Sequence, residues 1–183
     1  MTTHLQQYER LAEPFGAVVE TIDDWEAASP CEGWSARDVL AHVVDTQRDF
    51  LGAHVDVGAA PELGDDSGAG WRSHDARVRE LLGDPAVAAT EFEGHFGPAT
   101  VGDTLVRFYG FDLLVHRWDL ARSAGRDERF NGNELGIIEA AVEGFGDALY
   151  GDGICKRPVP VPEGADRQAR TLALLGRAAS PVA

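Results

Sequence analysis

Residues 101–123 (VGDTLVRFYGFDLLVHRWDLARS) constrain this chain more than any other stretch. Projected as a helix at about 100° per residue, Val106, Phe108, Phe111, Leu113, Leu114 and Val115 point in almost every direction. A helix that is apolar nearly all round belongs in the centre of a bundle. Yet Asp112, His116 and Asp119 fall within about 60° of one another on the same projection. The predicted buried helix therefore carries a stripe of three ionisable groups. Buried charges pair, change protonation or meet a metal. Asp112 and His116, four residues apart, lie one above the other and can converge on one ion, with a third ligand supplied by another helix. The same spacing also fits a self-satisfied carboxylate–imidazole pair with Asp119 capping something local, so spacing alone leaves both readings open.

Periodicity places the other elements. Leu5, Tyr8, Leu11, Phe15, Val18, Val19 and Ile22 recur at helical spacing through Pro14 and Gly16, which predicts a first helix over 5–22. Ser35 with Asp38 forms a capping-box signature opening a second helix over 36–54. Residues 55–70 carry no apolar period and are rich in Gly, Pro and Asp, which predicts a long exposed loop. A short helix follows around Trp71 to Leu82, then a strand or extended connection over 90–97. Thr100 with Asp103 caps the 101–123 helix, and a further helix is predicted over 133–150. The alternating prolines of 157–162 force an extended segment, and a last short helix spans about 166–179. The expectation is one all-α domain over 1–183 built on four longer helices, with a tail over about 152–183.

His42 lies mid-helix four residues after Asp38, and because Asp38 is taken by the cap, His42 is free to point into the bundle, where helix position alone favours a satisfied core histidine. His95 reads as a loop residue, and His54 and His74, near helix ends, as solvated or capping groups. Cys31 reads as a small apolar loop residue rather than a nucleophile. With Cys155 it makes two cysteines, too few for a disulfide framework or a zinc ribbon, so a metal site must be built from His and carboxylates. Acids outnumber bases 31 to 16, which excludes a phosphate-binding surface for nucleic acid and argues against anionic membranes. The start, MTTHLQQYERLAEPFG, has neither the basic nor the apolar region of a signal peptide, and the chain is read as cytoplasmic.

Three stretches together, SPCEGWSARDVLAHVV (29–44), DLLVHRWDLARSAG (112–125) and LALLGR (172–177), resemble the metal-binding helical domain of mycothiol-dependent maleylpyruvate isomerases, within the DinB-like superfamily. The resemblance implies a DinB-like four-helix bundle with extra short helices and a long loop. It also implies a divalent metal, usually zinc, held by His42, Asp112 and His116, with Asp119 orienting a ligand from behind. Two departures stand out. About 30 residues follow Gly151, fewer than the C-terminal domain of the isomerases needs, and Asp112 stands where some relatives carry the longer Glu.

Two imidazoles and one carboxylate leave a tetrahedral zinc one open position, as in catalytic sites. By resemblance the open position takes mycothiol or a similar thiol, which attacks a small electrophile in a transferase or isomerase reaction. The alternative is a non-catalytic metal-binding bundle, closed by a fourth ligand such as Glu91, His95 or Asp119, with a structural or partner-binding role. A third reading has no metal. Residues 1–100 hold 19 acids and 6 bases, residues 101–183 hold 12 and 10. An entrance with the balance of the first stretch disfavours a dianionic substrate, and thiol transfer is ranked above isomerisation. The expected partners are the thiol and the electrophile, with the assembly state left open between monomer and homodimer.

Overall fold

The computed structural model describes residues 2–64, 66–94, 97–151 and 154–178. The chain divides into two compact units, Met1–Ala124 and Gly125–Ala183.

In the first unit, α1 (His4–Val19) and α2 (Ala36–Gly52) pack with a rod, and α3 (Ser67–Gly83) packs with α1 and α2. A single turn, α4 (Pro85–Ala88), and a hairpin of β1 (Glu91–Gly94) and antiparallel β2 (Gly97–Thr100) lead into the rod. The rod itself comprises α5 (Val101–Thr104), a π-helical turn (Leu105–Tyr109) and α6 (Gly110–Ser123). Contacts run from α6 to α1, from α1 to α3, from α3 to α2 and from α2 back to α6, which closes a ring of four long helices. The all-α expectation holds, and so does the central place of the rod: from Gly110 to Ala121 only Asp112 escapes full burial.

Local chemistry explains where the helices start. Ser35 and Asp38 form the reciprocal capping box, and Thr100 accepts from the Asp103 backbone N–H. Thr3 and Gln6 add a capping box at α1 that the sequence reading did not include. Pro14 is accommodated inside α1, although it removes one backbone donor.

Two expectations are corrected. The helix expected to be short begins at Ser67, inside the predicted 55–70 loop, and at 17 residues matches its neighbours. The remaining loop is tied down by arginines: Arg48 donates to Gly58 O, Arg77 to Asp56 O, and Arg37 to Leu63 O, Gly64 O and Ser67 Oγ. Gly70 looks like a loop residue because the helix must be narrow at this position. A Cβ on Gly70 would lie 2.6 Å from Glu62 O and 2.5 Å from Leu63 Cδ2. Gly70→Ala is accordingly expected to lower stability. Overpacking against backbone costs about 1–3 kcal/mol, against about 1 kcal/mol gained from alanine's helix preference. A urea midpoint above wild type would refute the close approach.

In the second unit α7 (Gly132–Phe145) ends at Gly146, whose φ of +52° breaks the predicted 133–150 helix into α7 and a 3₁₀ turn over Gly146–Tyr150. The proline segment is extended, with Val159 N–H donating to Ala173 O of α8 (Arg167–Leu174). Gln168 of α8 bonds the Phe130 N–H and Glu128 O, and α8 packs with α7.

Candidate metal centre

The stripe read from the sequence is intact in α6, downstream of the π-helical turn. That turn was not foreseen, and such turns recur at functional sites. His116 lies between two carboxylates of its own helix. Its Nε2 is 3.3 Å from Asp112 Oδ1, and its Nδ1 is 2.9 Å from Asp119 Oδ2. The Asp119 side chain is fully buried and that of His116 is 8 % exposed. From α2, His42 brings its Nε2 to 3.5 Å from the other Asp112 oxygen, Oδ2. One ligand atom from each of His42, Asp112 and His116 lies within 4.8 Å of the others.

Electrostatics follow from this packing. Burial pushes the Asp112 carboxyl up, but the charge and hydrogen bonding of His116, then of His42, outweigh it and hold the group well below the carboxylate range. Burial likewise disfavours a charged His116, but Asp112 foremost, then Asp119 and Cys31, raise it well above the ordinary imidazole value. Without a cation, His116 therefore carries a proton between two carboxylates. Tyr109, one turn before Asp112, is pushed up to about 12 by burial and then by Asp112 and Asp49, so its hydroxyl keeps its proton.

The donors fit a divalent cation. Zinc sits about 2.0–2.2 Å from nitrogen and oxygen ligands, which sets the edges of its tetrahedron at about 3.3–3.6 Å. Each imidazole lies about one such edge from a different oxygen of Asp112, 3.3 Å for His116 and 3.5 Å for His42. Asp112 Oδ2 is buried with His42 Nε2 at 3.5 Å and no well-formed hydrogen bond, an acceptor that a cation would satisfy.

A second triplet, Cys31, His116 and Asp119, uses the opposite edge of the same imidazole. The Cys31 thiol is 3.5 Å from Asp119 Oδ2. Cys31 is thus no bystander in its loop, which corrects the sequence reading. Trp34 was likewise given no role there. Its ring lies 5.1 Å from that of His42 and 6.4 Å from that of His116, nearly parallel to the latter at 21°. The Gly33–Trp34 pair was the available signal.

The remaining histidines separate. His54 is half-buried, its ring 5.0 Å from Phe50 and 4.5 Å from Phe92. His74, expected to be solvated, is buried and contacts Gln47 Oε1 at 3.0 Å. His95 lies outside the described residues. Glu91 is exposed on β1. Asp103 is engaged by Thr100 and by His4 at 3.1 Å. No helix is long and apolar enough to cross a membrane among the described residues.

A sequence profile described as the mycothiol maleylpyruvate isomerase N-terminal domain matches residues 8–121, a stretch that includes every residue of the candidate centre. Two uncharacterized proteins of Mycobacterium tuberculosis, MT0763 of strain CDC 1551 / Oshkosh and Rv0738 of strain ATCC 25618 / H37Rv, are each 24 % identical over 127 residues. The alignment covers 67 % of this chain and 68 % of each of theirs. No solved structure matches.

Proposed function

Because this chain belongs to the mycothiol maleylpyruvate isomerase N-terminal domain family, we propose that it holds a divalent cation, zinc in the simplest case, on His42, Asp112 and His116 to activate a low-molecular-weight thiol. Mycothiol or a close analogue is the thiol, and the reaction is attack on a small electrophile. The observation that carries this reading is the convergence of His42, Asp112 and His116, one ligand atom from each lying within 4.8 Å of the others. When bound, the cation supplies the charge that lets a thiol of ordinary pKa ~8.5 be present as thiolate at neutral pH. His42 and His116 contribute neutral nitrogens and Asp112 the one negative charge. Asp119, by accepting from Nδ1–H, leaves the His116 Nε2 bare for the metal. Trp34 walls one side.

The non-catalytic alternative needs a fourth protein ligand. Asp119 faces the wrong edge of the His116 ring, and among the described residues no further His, Cys, Asp or Glu joins the His42–Asp112–His116 group. A three-ligand group among the described residues favours the thiol reading. Transfer to an electrophile is preferred over isomerisation of a dicarboxylate because the first 100 residues carry the bulk of the chain's negative charge.

Untagged protein is expected to carry about one divalent ion per chain and to consume an aryl halide only with both zinc and mycothiol present. Sub-stoichiometric metal would sink the centre. Stoichiometric zinc with no mycothiol binding by calorimetry would sink only the thiol chemistry.

A further inference from the structure

We propose that the loop over residues 29–34 sets the orientation of His116, with the Cys31 thiol as a positioning residue that acts through Asp119. The inference rests on the metal reading above. The loop is a tightly bonded hairpin. Ala28 bridges Ser35, Ser29 N–H donates to Trp34 O at 2.9 Å, and Trp34 N–H donates to Cys31 O at 3.0 Å. The Ser29 hydroxyl oxygen accepts from the Cys31 N–H at 3.1 Å, and Gly33 supplies the φ of +78° that turns the chain. This backbone delivers two side chains to His116 from different directions. Trp34 covers its ring face. Cys31 reaches behind it, its S–H donating to the same Asp119 oxygen that accepts from His116 Nδ1–H at 2.9 Å.

A carboxylate with no exposure needs donors, and its direction is set by them. The thiol and the imidazole share one oxygen, so the thiol fixes where that oxygen lies and the oxygen fixes the imidazole plane. The plane in turn aims Nε2 at Asp112. Held against Asp119 and also hydrogen-bonded to His116, the thiol is assigned as support of the imidazole rather than as nucleophile or ligand. The second triplet of potential ligands is then the support of the first rather than a competing site.

Cobalt(II) titration of the full chain, followed in the visible and near-ultraviolet, tests this. Wild type is expected to show ligand-field bands without a sulfur-to-metal charge-transfer band. Cys31→Ala should weaken cobalt and zinc binding about tenfold and alter the ligand-field bands, and Asp119→Asn should weaken binding about 10–100-fold. Cys31→Ser, which keeps a donor, should restore both affinity and spectrum toward wild type. Gly33→Ala, which strains the loop without touching the cluster, should weaken binding in the same direction, with far-ultraviolet circular dichroism confirming the fold of each variant. A charge-transfer band in wild type that vanishes in Cys31→Ser would make Cys31 a ligand and overturn the proposal. Wild-type affinity in both Cys31→Ala and Gly33→Ala would also overturn it. Failure of wild type to bind either metal would instead remove the reading on which it rests.

Discussion

Replacing His116 with alanine is expected to abolish metal binding and to destabilise the metal-free fold. Two separate causes act, and a chelator tells them apart. In the metal-free protein the protonated His116 ring is the positive partner between Asp112 and Asp119. Removing one partner of a buried ion pair costs about 3–5 kcal/mol, because the other charge stays behind. Here the fully buried Asp119 keeps the Cys31 thiol but loses its charged imidazole partner. Bound metal adds a second contribution, about 4 kcal/mol at a free concentration a thousandfold above Kd. Wild type should therefore lose stability to chelator and regain it with zinc, whereas His116→Ala should start lower and respond to neither. Asp112→Asn should also lose the metal response. Its metal-free cost should be smaller, since Asp119 still partners the imidazole. Urea midpoints with and without chelator supply the comparison, and a His116→Ala variant with wild-type metal content would exclude this residue as a ligand.

How much of the centre was legible depended on whether its residues share a period. Asp112, His116 and Asp119 announced themselves because their spacing maps onto one helix face, and α6 kept that phase. Subtraction of Asp38 into the capping box left His42 free to face the bundle, but only the family resemblance made it a ligand. Cys31 and Trp34 sit in a loop without period, where a left-handed glycine and three local hydrogen bonds decide direction. Sequence offers only the Gly-Trp pair there. The start of α3 was hidden for a different reason. Gly70 is required there by the close approach of Glu62 O, a contact that overrides its weak helix preference. The π-helical turn before α6 left no signature among its residues LVRFY.

His74 shows the limit most sharply, and its burial leads to the second large effect, an acid-dependent loss of stability between about pH 6.5 and 4. Nothing near residue 74 in sequence signals burial, because its partner Gln47 comes from α2. The imidazole is 2 % exposed, its Nε2–H pairing with Gln47 Oε1, while Nδ1 has no partner. Burial first, and then the charge of Arg48, lower it to about 4. The unfolded chain titrates this residue near ~6.5. Between those two values the unfolded state takes up a proton that the folded state refuses, so unfolding becomes easier as pH falls. Above the window neither state is protonated at this residue, and below it both are. The full difference is about 3 kcal/mol, at about 1.4 kcal/mol per pH unit of separation. In the metal-free protein His116 acts in the opposite sense, because its raised value stabilises the fold at low pH and that contribution fades as pH rises. His74→Gln keeps an amide donor for Gln47 and cannot titrate, while His116 is common to both proteins. The difference between their urea midpoints should therefore shift steadily in favour of the variant from pH 7 to pH 4.5. Parallel curves over that range would place His74 in water and contradict its packing between α2 and α3.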